Sequence, residues 1–417
     1  MSPMKVSVAG LGAIGYGMAI SLIRAGFDVT SYDINEAVLE RFKATGRRTA
    51  SSIRALADGA GTFICVVATA EQALRVIFDK TSGALSTLPH GSTIILAITA
   101  RPDFVSGLQE QIEGFGRDDV TIIDCPVSGG EARANSGTLS LMYSGKNEAV
   151  LSKSESVLRA IGTNLYEIPG GLGAASQVKF VHQIFVGVNI VAAVEMSALA
   201  RSAGMNIRQV HASVMHGEAA SWLFDQRVSH LLDAKSVPAS SLRIITKDMG
   251  MISAYCREHR IGLPTAMMAD QLLKTAAFRA WDLGDDTSVI NLYGSATDYG
   301  RIEKAQLSPE DIGILLLGIH TAASIEVLRF AQHFKIDEAL LLSVVKEAAG
   351  ANKAFDAVVR RFPLNAAKEQ RFAGEQLQAL QAQMVTILGR VSEHNFPQPL
   401  CSVACQVVQL AGDGLHC

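Results

Sequence analysis

The chain has 417 residues, 48% of them hydrophobic and 18% charged, with a formal charge of −3. That length fits two or three domains, and the composition is globular. So even a charge gives no electrostatic footprint for nucleic acid or an anionic membrane; the local cluster Arg41, Lys43, Arg47 and Arg48 reads as a solvated helix end and loop.

The six cysteines (Cys65, Cys125, Cys256, Cys401, Cys405 and Cys417) form no CxxC pair and no dense framework. A reducing compartment, the cytoplasm, is the expectation. No His/Cys/Asp cluster has metal-ligand spacing, so no metal is expected. The first strand starts within a few residues of Met1, so no signal or transit peptide is expected.

Residues 1–165 alternate β-rich runs with helical segments. The runs are "KVSVAG", "DVTSYD", "TFICVVA", "STIILAIT", "VTIIDCPV", "LSLMYSG" and "LYEIP". Such alternation predicts an α/β domain with a parallel sheet and helices on both faces. After Pro169 strand signals fade and helical periodicity continues to the C-terminus, with breaks at Gly204, Pro238, Pro264, Gly284 and Pro309. The apolar stretches after Gly173 and from Ile312 are interrupted by polar residues before about 18 apolar positions accumulate. They read as buried helices of a large protein, with no membrane partner.

The helical part repeats. A shift of 131 residues aligns "GVNIVAAVEMSALARSAGMNI" with "GIHTAASIEVLRFAQHFKIDE", placing Gly187 on Gly318, Glu195 on Glu326 and Phe224 on Phe355. A shift of 135 aligns "REHRIGLP" with "SEHNFPQP". The reading is a nucleotide-binding domain at 1–165, a helical domain at 166–300 and a second helical copy at 301–417.

"VSVAGLGAIGYGMAI" places Gly10, Gly12 and Gly15 between a strand and a helix, the context of a Rossmann dinucleotide turn. Gly10 permits the tight turn, Gly12 lets a pyrophosphate approach, and Gly15 lets helix and strand pack; Leu11, Ala13 and Ile14 complete the turn. Asp33, eighteen residues after Gly15, can accept both ribose hydroxyls and repels a 2′-phosphate. Ile34 follows it, where an NADP enzyme often has arginine, so NAD is favoured over NADP, with Arg47 and Arg48 the basic groups that speak for NADP.

"DCPVSGGEARANSGTLSLMYSG" then sets Ser128 before Gly129 and Gly130. A hydroxyl followed by two glycines exposes side-chain and backbone donors together, which suits a carboxylate or a plain tight turn. With "GLGAIG" before it and the Lys179 helix "GGLGAASQVKFVHQ" after it, the chain resembles the β-hydroxyacid dehydrogenase family over about residues 4–300. That family includes 3-hydroxyisobutyrate dehydrogenase, tartronate semialdehyde reductase and, more distantly, 6-phosphogluconate dehydrogenase. Asp124, Pro126, Val127, Ser128, Gly129, Gly130, Ala134, Gly137, Thr138 and Leu139 carry the match.

The resemblance implies a Rossmann domain followed by a 6-phosphogluconate dehydrogenase-like helical region, here duplicated. Ser128, Gly129 and Gly130 are then expected to hold a substrate carboxylate, and Lys179 to be the catalytic lysine. Lys247, paired with Asp248, is expected beside the cofactor and substrate, and Trp222 and Phe224 beside the substrate. Val67, Ala68 and Thr99 follow the strands that border a family cofactor, with Thr99 also near the substrate. Two departures stand out. "LAITARP" keeps Thr99 and Pro102 but has Leu96 and Ile98 where the family has an acid and a serine, and His182–Gln183 replaces an asparagine pair. "KFVHQ" with "SWLFDQR" looks most like the L-threonate dehydrogenase branch.

Oxidising an alcohol by hydride transfer needs a base for the hydroxyl proton. An ordinary lysine is protonated at neutral pH; burial, its helix's positive end and a nicotinamide cation are expected to lower the pKa of Lys179. Residues 179, 182, 183, 186, 187 and 190 share one helix face, so Gln183 is expected to orient the reacting oxygen. In the second copy Glu310, Gly313 and Ile314 stand opposite Lys179, His182 and Gln183, and Ala382 and Gln383 opposite Lys247 and Asp248. The chemistry is absent there, which suggests a structural copy and either a monomer with an internal pseudo-dimer or a homodimer. The expected function is NAD-dependent oxidation of a small hydroxy acid, bound in a cleft between the nucleotide domain and the first helical copy. An imine reductase on the same fold and a non-catalytic NAD-binding scaffold are the rival readings.

Overall fold

A computed structural model describes residues 4–233, 240–281, 284–294, 305–361 and 374–413. The chain forms two compact units, Met1–Phe180 and Val181–Cys417. The expected break at Pro238 and the expected junction near residue 300 lie outside the described residues.

Among the described residues the first unit holds nine strands: β1 Lys5–Ala9, β2 Asp28–Tyr32, β3 Arg48–Thr49, β4 Thr62–Cys65, β5 Thr93–Leu96, β6 Thr121–Asp124, β7 Val127–Ser128, β8 Leu139–Gly145 and β9 Gly162–Glu167. Their order is 3-2-1-4-5-6-8-7, with β9 on β8. The strands from β3 to β6 pair in parallel; β8 runs antiparallel to β6 and β7, and β9 parallel to β8. β4 and β5 are buried at every position, as a sheet covered on both faces requires. Alternate residues feed two cores: Ile64, Ile95 and Ile123 join one, and Phe63, Cys65, Ile94, Leu96 and Ile122 the other. The seven quoted runs all contain strands of this sheet; the two-residue β3 has no alternating signature and was not among them.

The helices that follow these strands are α1 Ala13–Arg24, α2 Glu36–Lys43, α3 Ile53–Ala57, α4 Ala70–Phe78, α5 Pro102–Ser106, α6 Leu108–Gly114, α7 Gly130–Ser136 and α8 Glu148–Ile161. α7 lies hard against α1. A Cβ on Gly17 would come within 2.5 Å of the Ala134 carbonyl carbon, and the Ser21 hydroxyl donates to the Ala134 carbonyl at 3.1 Å. α9, Ala174–Ser202, begins in this unit.

In the second unit, α9 is followed by α10 Ile207–His216, α11 Trp222–Leu232, α12 Leu242–Glu258 and α13 Pro264–Ala276. Then come α14 Pro309–His333, α15 Glu338–Glu347, α16 Lys353–Arg361, α17 Gly374–Ser392 and α18 Pro399–Gly412. Lengths run 29, 10, 11, 17 and 13 residues in the first five, and 25, 10, 9, 19 and 14 in the second five.

Contacts between the two sets are reciprocal. α13 and α18 each start with proline at the first helical position and have no side-chain cap of their own. Their next two backbone N–H groups need acceptors. Thr265 and Ala266 donate to the Glu326 carboxylate of α14 at 2.6 and 3.0 Å. Leu400 and Cys401 donate to the Glu195 carboxylate of α9 at 3.1 and 2.8 Å, with the Tyr293 hydroxyl a third donor at 2.7 Å. Trp222 N–H donates to the Ala351 carbonyl and Lys353 N–H to the Ala220 carbonyl, both at 3.0 Å. Gly187 lies against the Met249 side chain, and Gly318 against that of Met384.

α9 and α14 are long and apolar enough to cross a membrane by length and composition, despite the polar residues that interrupt them. Their most apolar windows are 94% and 78% buried inside the protein, so the apolarity serves helix packing here.

Candidate active site

Gly10 turns the chain after β1 with φ +103°, a conformation that side chains disfavour. A Cβ there would strike the Val66 carbonyl, and one on Gly15 would strike the Gly10 carbonyl. Gly12 faces open space and begins α1 without a side-chain cap. The first-turn N–H groups, including those of Ala13 and Ile14, thus stand at a positive helix end beside an empty approach. The arrangement fits a pyrophosphate. Leu11 is fully buried, and its N–H donates to Asp33 Oδ2 at 2.6 Å. Asn35 N–H donates to Asp33 Oδ1 at 2.8 Å. Each carboxylate oxygen keeps a lone pair for a ribose hydroxyl. Arg48 pairs with Asp28, and Arg47 lies over the Phe42 ring at 5.8 Å, so each of these two cations has a partner other than Asp33.

Val67 follows β4 and lies 3.5 Å from a Cβ built on Gly10. Ala68 donates its N–H to Gln72 at 2.9 Å in the capped start of α4. Thr99 is half-buried in the bend between β5 and α5.

Ser128, 5% exposed, ends β7 opposite Ser140 of β8. Gly129 and Gly130 have φ of +134° and +70°. This backbone turns at once into α7, which is seated on α1 through Gly17 and Ser21.

Lys179 is set from below. Asp124, at the end of β6, accepts the Ser176 N–H at 2.7 Å and the Ser176 hydroxyl at 2.8 Å. Ala175 N–H donates to the Ser144 hydroxyl at 3.1 Å. These bonds pin the first turn of α9 to the sheet, and Lys179 follows three residues after Ser176 with only 4% exposure. Burial pushes the Asp124 carboxyl up to about 7 against the pull of the Ser176 donors. Asp124 was legible as part of the family motif, but its capping of α9 was not, since its partner lies 52 residues away.

In the second unit, buried His182 and Gln183 touch through His182 Nδ1 and Gln183 Oε1 at 3.2 Å. Gln183 Nε2 donates to Asp248 Oδ2 at 2.6 Å, and Lys247 Nζ pairs with Asp248 Oδ1 at 2.6 Å. The structure therefore joins Gln183 to the Lys247–Asp248 pair. Gln183 stands four residues beyond Lys179 on α9, the spacing of one helix face. Phe224 is 1% exposed and stacks with His211, ring centroids 6.1 Å apart, in the helical core. Trp222, 37% exposed, lines a cavity of about 280 Å³ with Met215, Lys346, Asn352 and Lys353.

A family model described as the NAD binding domain of 6-phosphogluconate dehydrogenase matches residues 5–170. A second, described as NAD-binding of NADP-dependent 3-hydroxyisobutyrate dehydrogenase, matches twice, at 173–293 and 314–416. L-Threonate dehydrogenase of Cupriavidus necator is 34% identical over 299 residues, 72% of this chain and 99% of that protein. The chain belongs to the β-hydroxyacid dehydrogenase family. L-Threonate dehydrogenase of Escherichia coli K12 is 30% identical over 71% of this chain and 97% of its own. The crystal structure of a 3-hydroxyisobutyrate dehydrogenase from Salmonella typhimurium aligns with a TM-score of 0.63 at 32% identity, covering 70% of this chain and all of that one. The protein is thus an oxidoreductase of the hydroxyacid dehydrogenase type, with an NAD(P)-binding domain and a helical C-terminal region. About 300 residues of this chain account for these relatives' length, and the remainder has no counterpart in that overlap.

Proposed function

We propose that the protein is an NAD-preferring dehydrogenase of a small hydroxy acid of the L-threonate type, with Lys179 as general acid/base. The observation that carries this reading is the buried Lys179, held one turn beyond a helix start that Asp124 and Ser176 fix to the sheet. When bound, the nicotinamide supplies the hydride acceptor. Lys179 takes the hydroxyl proton as the C–H bond breaks, and returns it in the reverse direction. The Ser128 hydroxyl and the Gly129–Gly130 backbone hold the carboxylate, with Thr99 beside them. Gln183 directs its remaining amide N–H at the reacting oxygen. Asp33, with both oxygens oriented by backbone N–H groups, supports NAD over NADP.

Replacing Lys179 with alanine is expected to lower kcat on L-threonate about 10²–10⁴-fold, the range of general acid–base catalysis. Near-normal turnover on any hydroxy acid the wild type accepts would refute the assignment.

The second five-helix set is read as a duplicate of the first that serves as an internal partner surface, giving a monomer with a pseudo-dimeric helical part. The twofold match of one family model and the reciprocal Glu195 and Glu326 contacts support this. Free, buried Cys65, Cys125, Cys256, Cys401 and Cys405 support residence in the reducing cytoplasm.

A further inference from the structure

Gln183 is an amide, and its usefulness to a substrate depends on which way round it sits. Its nitrogen must face the acceptor and its oxygen the donor. Asp248 fixes one end, because a carboxylate accepts and so draws Nε2 at 2.6 Å. The other end, Oε1, meets His182 Nδ1 at 3.2 Å, and that contact bonds only if Nδ1 carries the proton.

What decides the tautomer lies 168 residues away. Gly350 N–H, in the loop before α16, points at His182 Nε2 at 3.0 Å. A backbone N–H can only donate, so Nε2 must hold a lone pair and the neutral ring must carry its proton on Nδ1. The Gly350 peptide is itself anchored. Its carbonyl accepts from Asn352 Nδ2 at 3.2 Å and from Asn189 Nδ2 at 3.5 Å. The adjoining segment is tied to residues 220–222 by the Ala351 and Lys353 backbone bonds. The approach is as close as the backbone allows. A Cβ on Gly350 would come within 2.9 Å of Phe185 Cβ and 3.2 Å of two His182 ring atoms.

We propose that Gly350 and His182 are positioning residues of the reaction: the Gly350 N–H locks His182 as the Nδ1–H tautomer, and that imidazole sets the Gln183 amide toward the substrate. Resting on the reading of Gln183 as a substrate contact, this gives the second five-helix set a part in catalysis although it carries no equivalent of Lys179. The relay runs from Gly350 N–H to His182 Nε2, from His182 Nδ1–H to Gln183 Oε1, and from Gln183 Nε2–H to Asp248, beside Lys247.

Two measurements on the full-length chain test it. Nitrogen-15 histidine NMR of the wild type at pH 7.5, with His182 assigned by its absence in His182→Phe, should show the Nδ1–H tautomer. An Nε2–H or doubly protonated ring would overturn the proposal, whatever substrate the enzyme prefers. A kinetic cycle on L-threonate then asks whether His182 acts through Gln183. His182→Phe is expected to lower kcat about 10–100-fold, the effect of a reacting group misplaced by about 1 Å. It should cost nothing further in a Gln183→Leu background. Additive losses would overturn the relay. Gly350→Ala, whose Cβ crowds Phe185 and the His182 ring, is expected to shift the His182 tautomer signal and reproduce part of the kcat loss with Lys179 untouched; an unchanged signal would also overturn it. If no hydroxy acid is turned over, the Lys179 reading fails, while the NMR result still decides the tautomer claim.

Discussion

Glu326 offers the sharpest test of how the helical unit is held. Its side chain is 1% exposed and supplies both acceptors for the start of α13, where Pro264 brings no N–H and Leu263 no cap. Truncation to alanine leaves the Thr265 and Ala266 N–H groups buried without partners, at about 1–3 kcal/mol each. The expected loss is about 2–6 kcal/mol. Glu326→Gln keeps the volume and one oxygen but turns an amide NH₂ toward the second donor, so about half of that loss is expected. Unfolding of a two-unit chain need not be two-state, so hydrogen exchange read by mass spectrometry on peptides spanning 263–268 is the better assay. A loss of about 4 kcal/mol corresponds to roughly a thousandfold faster exchange there, at about 1.4 kcal/mol per decade. Exchange in that peptide within a few-fold of wild type in Glu326→Ala would refute the capping argument, and with it the same argument for Glu195.

Two further outcomes follow from burial and charge. Burial pushes the His320 imidazole down to about 3 from 6.5. Between these values the unfolded chain takes up a proton that the folded chain refuses, so the stability associated with neutral His320 is present above pH 6.5 and is lost as pH falls toward 3. At pH 5 this amounts to about 2 kcal/mol, and His320→Leu, compared with wild type at each pH by hydrogen exchange of peptides around residue 320, should gain about that much on going from pH 7.5 to 5; a pH-independent difference would contradict it. Asp33→Ser, which removes the carboxylate that repels a 2′-phosphate, should move the ratio of kcat/KM for NAD over NADP at least about tenfold toward NADP, or about 1.4 kcal/mol; an unchanged ratio in steady-state assays would show that selectivity lies elsewhere.

Local chemistry in the sequence carried most of the fold. β1 to α1 was legible because a β run, three spaced glycines and an amphipathic run are neighbours in the chain, and Pro264 and Pro309, read as breaks, stand at the first helical positions of α13 and α14, where proline's missing N–H costs nothing. β3 was invisible: Arg48 and Thr49 have no apolar alternation, and parallel pairing to β2 alone makes them a strand. At the site, Ser128–Gly130 and Lys179 stood out through their flanking motifs. Ser176 and Gly350 did not, since an ordinary serine and glycine acquire their roles from Asp124 and His182, far away in sequence. The 131-residue shift rests on shared glycines and acids such as Gly187 and Gly318 or Glu195 and Glu326. The cross-capping by Glu195 and Glu326 was not, because an acid in an apolar helix does not say which helix end it will meet.

That cross-capping also sets a timetable for synthesis. Glu195 must reach Leu400 and Cys401, which lie 205 and 206 residues later. At about 5–20 residues per second the ribosome needs roughly 10–40 s to make the intervening chain. During that interval α9 carries a carboxylate destined for burial with its two backbone donors not yet made. Glu195 therefore cannot receive these two bonds until α18 has been made.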